Sequence, residues 1–266
     1  MADPFQNVDA AGADFIKIFA DAMDLRQNDP TMEKIVATYL EALALENPAD
    51  VIEIGAGAGA VSRRIAAQFP KAKITGYEPS QGFVTEARAR AQALPNLTFE
   101  QADGSALPRI DGQTDAAILH TVLSHVTDPA ALIAEAARIL RPGGKLVICD
   151  ADFSKSTFSN FPTDPLDACA KAFQSGFVTD PHLTAKLKNL TITAGFRIES
   201  FELTSRVTTD NDGMRPWVMM TTKTMVEQGD IGQALADALL GEYDRRRDAS
   251  TLFGYQVFAT LIASKP

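Results

Sequence analysis

The chain has 266 residues, 45% hydrophobic and 22% charged. That balance excludes a disordered chain and is enough for one large α/β domain, or one domain with additions. The two cysteines, Cys149 and Cys169, exclude a disulfide framework and a structural zinc site, and a net charge of −9 disfavours a nucleic-acid partner because it repels phosphate backbones at long range.

The first stretch, Met1-Ala-Asp-Pro-Phe5, has no basic segment followed by an apolar run, so no signal peptide is expected. No segment approaches ~18 uninterrupted apolar residues, so no membrane span is expected either. The expected location is the cytoplasm. Residues 1–48 read as helical. Phe15, Ile18, Phe19, Ala22 and Met23 fall on one helix face, and Met32, Ile35, Val36, Tyr39, Leu40 and Leu43 repeat the spacing after an Asp29-Pro30 start signal. Asn47-Pro48 closes this segment.

From Asp50 the rhythm changes to strand and helix in alternation. Val51 to Ile54 is a strand running into Gly55-Ala-Gly-Ala-Gly59, and Val61, Ile65 and Phe69 mark the helix behind it. Further strands are expected at Ala72 to Tyr77, Leu97 to Phe99, Asp115 to Leu119 and Lys145 to Cys149. The helices between them carry Phe83, Ala87, Ala91 and Leu94, then Leu132, Ala136, Ile139 and Leu140, the latter stopped by Pro142-Gly143-Gly144. Short connections between such elements argue a parallel sheet covered on both faces. The rhythm breaks beyond Asp152. A helix through Leu166, Cys169 and Phe173 follows, and another from Leu183 to Ala194 ends at Gly195. The alternating run Phe196 to Arg206 reads as a strand. Two helices are expected within 207–250, and Gly254 to Ala263 is a last strand.

The glycines at 55, 57 and 59 let a ligand approach the backbone, and the following helix points its N–H groups at the turn. Gly55-x-Gly57-x-x-Ala60 fits a dinucleotide fingerprint. Glu53-x-Gly55-x-Gly57-x-Gly59 fits an S-adenosylmethionine turn, in which the acid helps hold the cofactor's amino-acid end. The glycines alone do not choose between them. The strand ends do. Glu78, in Gly76-Tyr-Glu-Pro-Ser80, closes the second strand, where a carboxylate can accept both ribose hydroxyls. Asp103, in Ala102-Asp-Gly-Ser-Ala-Leu-Pro108, follows the third, where it can accept from an adenine amino group. Acids and a glycine turn thus share the carboxyl edge at which open α/β sheets bind ligands.

Those stretches, with Asp115-Ala-Ala-Ile-Leu-His-Thr-Val-Leu-Ser-His-Val126, Leu140-Arg-Pro-Gly-Gly144 and the ending from Phe253, resemble the class I S-adenosylmethionine-dependent methyltransferases. The likeness is to the small-molecule branch related to the ubiquinone/menaquinone-type enzymes. It covers residues 45–152 strongly, and 183–206 and 251–264 loosely. It implies a Rossmann-like, doubly wound α/β sheet of seven strands, mostly parallel with the last antiparallel. It also implies S-adenosyl-L-methionine as cofactor, held by Glu53, Gly55, Ala56, Gly57, Gly59, Glu78, Pro79, Ser80, Asp103, Gly104, Ser105, His120 and Thr121. Methyltransferases of exocyclic amines carry an Asn/Asp-Pro-Pro-aromatic turn after strand four. Here that position reads His120-Thr121-Val122-Leu123, which argues with the charge for a small-molecule acceptor.

Methyl transfer from a sulfonium is an in-line displacement that needs a base only when the acceptor holds its proton firmly. His125 stands where small-molecule O-methyltransferases place a histidine, although the tryptophan of their pattern is missing, and is the candidate base. Asp150 and Asp152 sit at the end of strand five, where alternation puts them on one side. Asp152 is the candidate substrate contact, and a metal pair is disfavoured because the companion acids at strand four are absent. The expected organisation is an N-terminal helical lid (1–48) and a cofactor-binding domain (49–266) with lid insertions at 153–182 and 207–250. These additions are rich in aromatic residues and methionine. Two other uses of such a chain remain open from sequence: a cofactor-binding protein that does not methylate, such as a cyclase or lyase, and a nicotinamide dehydrogenase.

Overall fold

The computed structural model describes residues 3–46 and 48–266. Met1 and Ala2 of the N-terminal stretch, and Asn47 of the dipeptide expected to close the helical segment, lie outside them. Seven strands form one sheet: β1 (Asp50–Ile54), β2 (Lys73–Glu78), β3 (Leu97–Gln101), β4 (Thr114–His120), β5 (Leu140–Thr157), β6 (Arg197–Thr208) and β7 (Gly254–Ser264). Their order is β3-β2-β1-β4-β5-β7-β6. The first five pair parallel, and β7 runs antiparallel to both β5 and β6. This is the doubly wound sheet expected, with its last strand reversed.

The period of two along each strand sorts the side chains into two cores. Val51, Ala116, Ile118, Val147, Cys149, Ala151 and Phe153 face one side. Ile52, Ile54, Ala117, Leu119, Leu146 and Ile148 face the other. Helices α1 (Val8–Ala11), α2 (Ala13–Gln27), α3 (Pro30–Ala42), α4 (Ala60–Gln68) and α5 (Gln81–Arg90) supply the first core, whereas α6 (Pro129–Ile139) and α8 (Leu187–Thr193) supply the second. Helices α7 (Asp167–Gly176), α9 (Arg215–Gln228) and α10 (Gln233–Asp248) pack with the first group.

The additions form where the apolar spacing places them. Asp29 caps α3, its carboxylate accepting from the N–H groups of Thr31 (2.9 Å) and Met32 (3.2 Å), with Pro30 in the first turn. The clearest boundary differences from the sequence reading follow the helix α6. Strand β5 begins at Leu140, which was read as helix, rather than at Lys145, and does not end at Cys149 but runs on to Thr157, because β7 offers a partner that far: Asp152 pairs with Val257 and, past an irregularity, Thr157 with Tyr255. The segment from Leu183 is not one helix but a 3-10 turn, Leu183–Ala185, followed by α8.

Helix α10 is tied to the loop before α7 by an enclosed ion pair. Arg246 donates from both terminal nitrogens to Asp164 at 2.6 and 3.0 Å, with the side chains 4% and 0% exposed. The same carboxylate accepts the N–H groups of Asn160 and Leu166. Asp164→Ala therefore strips the terminal nitrogens of Arg246 and two loop amides of their acceptor, leaving the guanidinium only its Nε bond to Glu242 at 2.7 Å, and should cost about 2–3 kcal/mol in urea denaturation. A loss below about 1 kcal/mol, the scale of an exposed pair, would contradict this reading.

Candidate active site

The turn after β1 folds back onto the end of β2. The N–H groups of Gly55 and Ala56 both donate to the Tyr77 carbonyl, at 2.8 and 2.9 Å. That of Gly57 donates to the Glu78 carboxylate at 2.9 Å, whose other oxygen accepts from Ser80 N–H at 3.0 Å. Gly57 and Gly59 have φ of +53° and +76°, a region costly to residues with a Cβ. A Cβ on Gly59 would also stand 2.4 Å from the Phe99 ring. Gly59 thus serves packing behind the turn, while Gly55 and Gly57 face the cleft.

That cleft, about 460 Å³, is lined by Gly55, Gly57, Glu78, Pro79, Asp103, Ser105, Thr121 and His125, with Val122, Val126 and Leu132 along one wall. Most of the expected cofactor residues converge there. Asp103 also closes its own turn by accepting from Ser105 N–H (2.9 Å) and Oγ (2.8 Å). Ser80 and Gly104 support from behind. Ser80 caps α5, and a Cβ on Gly104 would meet Ile54 at 2.8 Å. The α5 terminus has a second cap that the sequence reading missed: Asp9 of α1 accepts from Ser80 Oγ and from the N–H groups of Gln81 and Gly82 at 2.8–2.9 Å.

Glu53, Ala56 and His120 face a smaller recess beside the turn, together with Met23, Arg26 and Gln27 of α2. Glu53 accepts a hydrogen bond from Ser62 Oγ. Burial pushes its carboxyl up to about 8, and Glu78's up to about 7. His120 shares a hydrogen bond with Tyr39 Oη at 3.2 Å, and its Nε2 is buried without a partner. Burial and the nearby Arg26 charge hold its ring well below the ordinary histidine range. Thr121, at φ +54°, is a β-branched residue in a left-handed conformation that costs of order 1–3 kcal/mol. It sits where cleft, recess and a third cavity meet.

The third cavity is an aromatic chamber on the first-core face. Phe153, Phe173 and Trp217 form its wall, the last two stacked with ring centres 4.0 Å apart. It shares Phe5, Met23, Thr121 and His125 with the cleft, so the two adjoin. His125 is held at this junction by a residue that the sequence reading passed over: Asp3 Oδ2 lies 2.9 Å from its Nδ1, with Asp3 2% exposed. Phe5 packs on the imidazole at 4.6 Å. Thr179 Oγ1 donates to the same Asp3 oxygen. Asp152 is not part of this arrangement. Ala151 lines the chamber, so alternation turns Asp150 and Asp152 to the other face of the sheet. Asp150 accepts from Ser124 N–H and Oγ there, and Asp152 accepts from Ser154 Oγ at 2.5 Å.

Residues 52–148 match the family model described as a methyltransferase domain. A malonyl-[acyl-carrier protein] O-methyltransferase of Hahella chejuensis is 33% identical over 128 residues, 48% of this chain and 45% of that protein. The chain spans less than half the length of each of the first curated relatives it matches. Two solved structures share the fold. The [4+2]-cyclase SpnF has a TM-score of 0.58 at 22% identity, over 88% of this chain and 82% of that one. A phosphoethanolamine N-methyltransferase of Haemonchus contortus, in complex with S-adenosylhomocysteine, has a TM-score of 0.61 at 15% identity, over 98% and 59%. No described helix is long and apolar enough to cross a membrane.

The two raised carboxyls set a pH dependence. An acid whose folded pKa lies above its ordinary value stabilises the fold while protonated, and that contribution is lost as pH climbs from the ordinary value, near 4.5, through the folded one. For Glu53 and Glu78 the window runs from about 4.5 to about 8 and 7. Free of ligand, the protein should lose on the order of 5 kcal/mol between pH 5.5 and 8.5, and Glu53→Gln should flatten part of that slope in denaturant titrations. Stability rising across the window would contradict the assignment.

Proposed function

We propose that this chain transfers a methyl group from S-adenosylmethionine to a small, partly apolar acceptor. One observation carries the proposal: the glycine-turn cleft and the aromatic chamber adjoin at Thr121 and His125. A cofactor along the cleft would have its nucleoside at Glu78 and Asp103 and its amino-acid end at the recess of Glu53 and His120. The residues fit that group. Glu78 presents a carboxylate suited to ribose hydroxyls, His120 keeps an unpartnered ring nitrogen in the recess, and a Cβ at Gly57, whose φ is +53°, would stand 2.8 Å from the Met23 sulfur. When bound, the cofactor supplies the electrophilic methyl.

The protein's own part is positioning, exclusion of water and, for a protonated acceptor, removal of a proton. The aromatic wall and α2 enclose the chamber, which keeps water from competing as acceptor. Asp3 on Nδ1 orients the His125 ring at the junction. A proton on Nδ1 leaves Nε2 free to take one from the acceptor, and the carboxylate stabilises the imidazolium that results. Helices α2, α7 and α9 act as the lid, which extends the expected division into a cofactor core and acceptor-binding additions. The net charge of −9 and the lack of an Asn/Asp-Pro-Pro turn support a small molecule over nucleic acid. Non-methylating use of the cofactor remains the second reading, because the cyclase SpnF has the same fold.

Calorimetry should give saturable S-adenosylhomocysteine binding with NAD not competing, and Glu78→Ala or Gly57→Val should weaken it tenfold or more. Absence of binding to folded wild-type protein would end the proposal. Isotopically labelled S-adenosylmethionine with a panel of small acceptors should give a methylated product, and cofactor binding without any product would favour the second reading. With a hydroxyl acceptor in hand, His125→Ala should lower turnover ~10²–10⁴-fold. Asp3→Asn should lower it less. Turnover within threefold in His125→Ala would make that residue structural.

A further inference from the structure

The chamber has a polar inner end. Among the residues lining it, the charged ones are Arg26 of α2 and Arg206 of β6, with His125 at the junction, and no carboxylate is among them. Arg206 is 2% exposed. It donates to Gln256 Oε1 at 2.8 Å, and its Nε lies 2.9 Å from Asp29 Oδ2, behind the lining. Arg26 has no such counter-charge. Its guanidinium donates to Thr121 Oγ1 at 2.9 Å, its Nε is buried with no hydrogen-bond partner, and it forms no ion pair among the described residues. Burial, with the Arg206 charge as a further cause, draws its pKa down to about 10.

Of the two guanidiniums beside the aromatic walls, Arg206 thus has a carboxylate partner and Arg26 has none among the described residues. An enclosed cation without a partner costs several kcal/mol, and its position is unexplained by packing, since a methionine or leucine would fill the same stripe of α2. A planar fork of donors facing an apolar chamber is suited to a carboxylate, which it can hold through paired hydrogen bonds. The body attached to that carboxylate would lie against Phe153 and Trp217. We propose that the acceptor carries a carboxylate, seated on Arg26 and Arg206 at the inner end of the chamber. This rests on the methyltransferase reading and names the acceptor's class.

The cofactor's own α-carboxylate is a second source of the same chemistry, because Arg26 also borders the recess beside Glu53. Arg206 does not line that recess, which favours the acceptor. The experiment separates the two. Protein saturated with S-adenosylhomocysteine is titrated calorimetrically with benzoate, trans-cinnamate and hexanoate, each against its amide. At least one acid should bind tenfold or more tightly than its amide. Arg26→Met should abolish that preference, and Arg206→Met, outside the recess, should weaken it with S-adenosylhomocysteine affinity within threefold of wild type. The wild-type comparison decides even where a variant does not fold. Amides binding as well as acids, or no acid binding below about 1 mM, would overturn the proposal. So would a tenfold loss of S-adenosylhomocysteine affinity in Arg26→Met with 5′-methylthioadenosine, which lacks the carboxylate, unaffected. Failure of wild-type protein to bind S-adenosylhomocysteine at all would instead remove the methyltransferase reading.

Discussion

The site depends on how β1 ends. The turn after Ile54 returns to β2 through two N–H donors on one carbonyl, Tyr77, and a third on the Glu78 carboxylate. That closure needs left-handed backbone at Gly55, Gly57 and Gly59, and it lets the Phe99 ring sit against the last of them. It fixes the start of α4, keeps Glu78 at the lip of the cleft, and leaves the floor free of side chains. With a Cβ at these positions the turn would lift from β2, and the carboxylates would lose the geometry that gives them a shared purpose.

Charge is distributed about Thr121 in a way that suits two different molecules. On the turn side, Glu53 and Glu78 are enclosed enough to resist ionisation when nothing is bound. A ligand bringing positive charge or hydroxyl donors would favour their anionic forms. On the chamber side, two guanidiniums and one imidazole face aromatic carbon. Acidic groups thus line the cleft and the recess, which Arg26 also borders, while both guanidiniums line the aromatic chamber. The strained backbone at Thr121 is held where the two regions touch, and its hydroxyl accepts from Arg26.

The sheet was legible because each strand carries its own signal: a short apolar run, a turn of glycine or proline, then a helix of period 3.6. The acids at the strand ends were legible for the same reason, being placed by register. What escaped was set by chain crossings. Asp3 and His125 lie 122 residues apart in sequence, and Arg206 meets Asp29 across most of the chain. No local pattern announces either pair. Asp152 shows a different limit. Its strand was recognised, and so was its placing beside Asp150, but not which face of the sheet they share. Only the packing of Ala151 and Phe153 into the first core decides that. One signal was present and unused: Arg26 continues the α2 stripe of Phe15, Phe19, Ala22 and Met23, a charge set on an apolar face.

The central claim is spatial: a nucleoside cofactor lies in the cleft with its reactive end opening toward the aromatic chamber. A crystal structure with S-adenosylhomocysteine tests it most directly. The account predicts the ribose hydroxyls on Glu78, the amino-acid end in the recess of Glu53 and His120, and the sulfur at the junction between Thr121 and His125. A ligand bound away from the glycine turn, or with its sulfur directed away from the chamber, would contradict it.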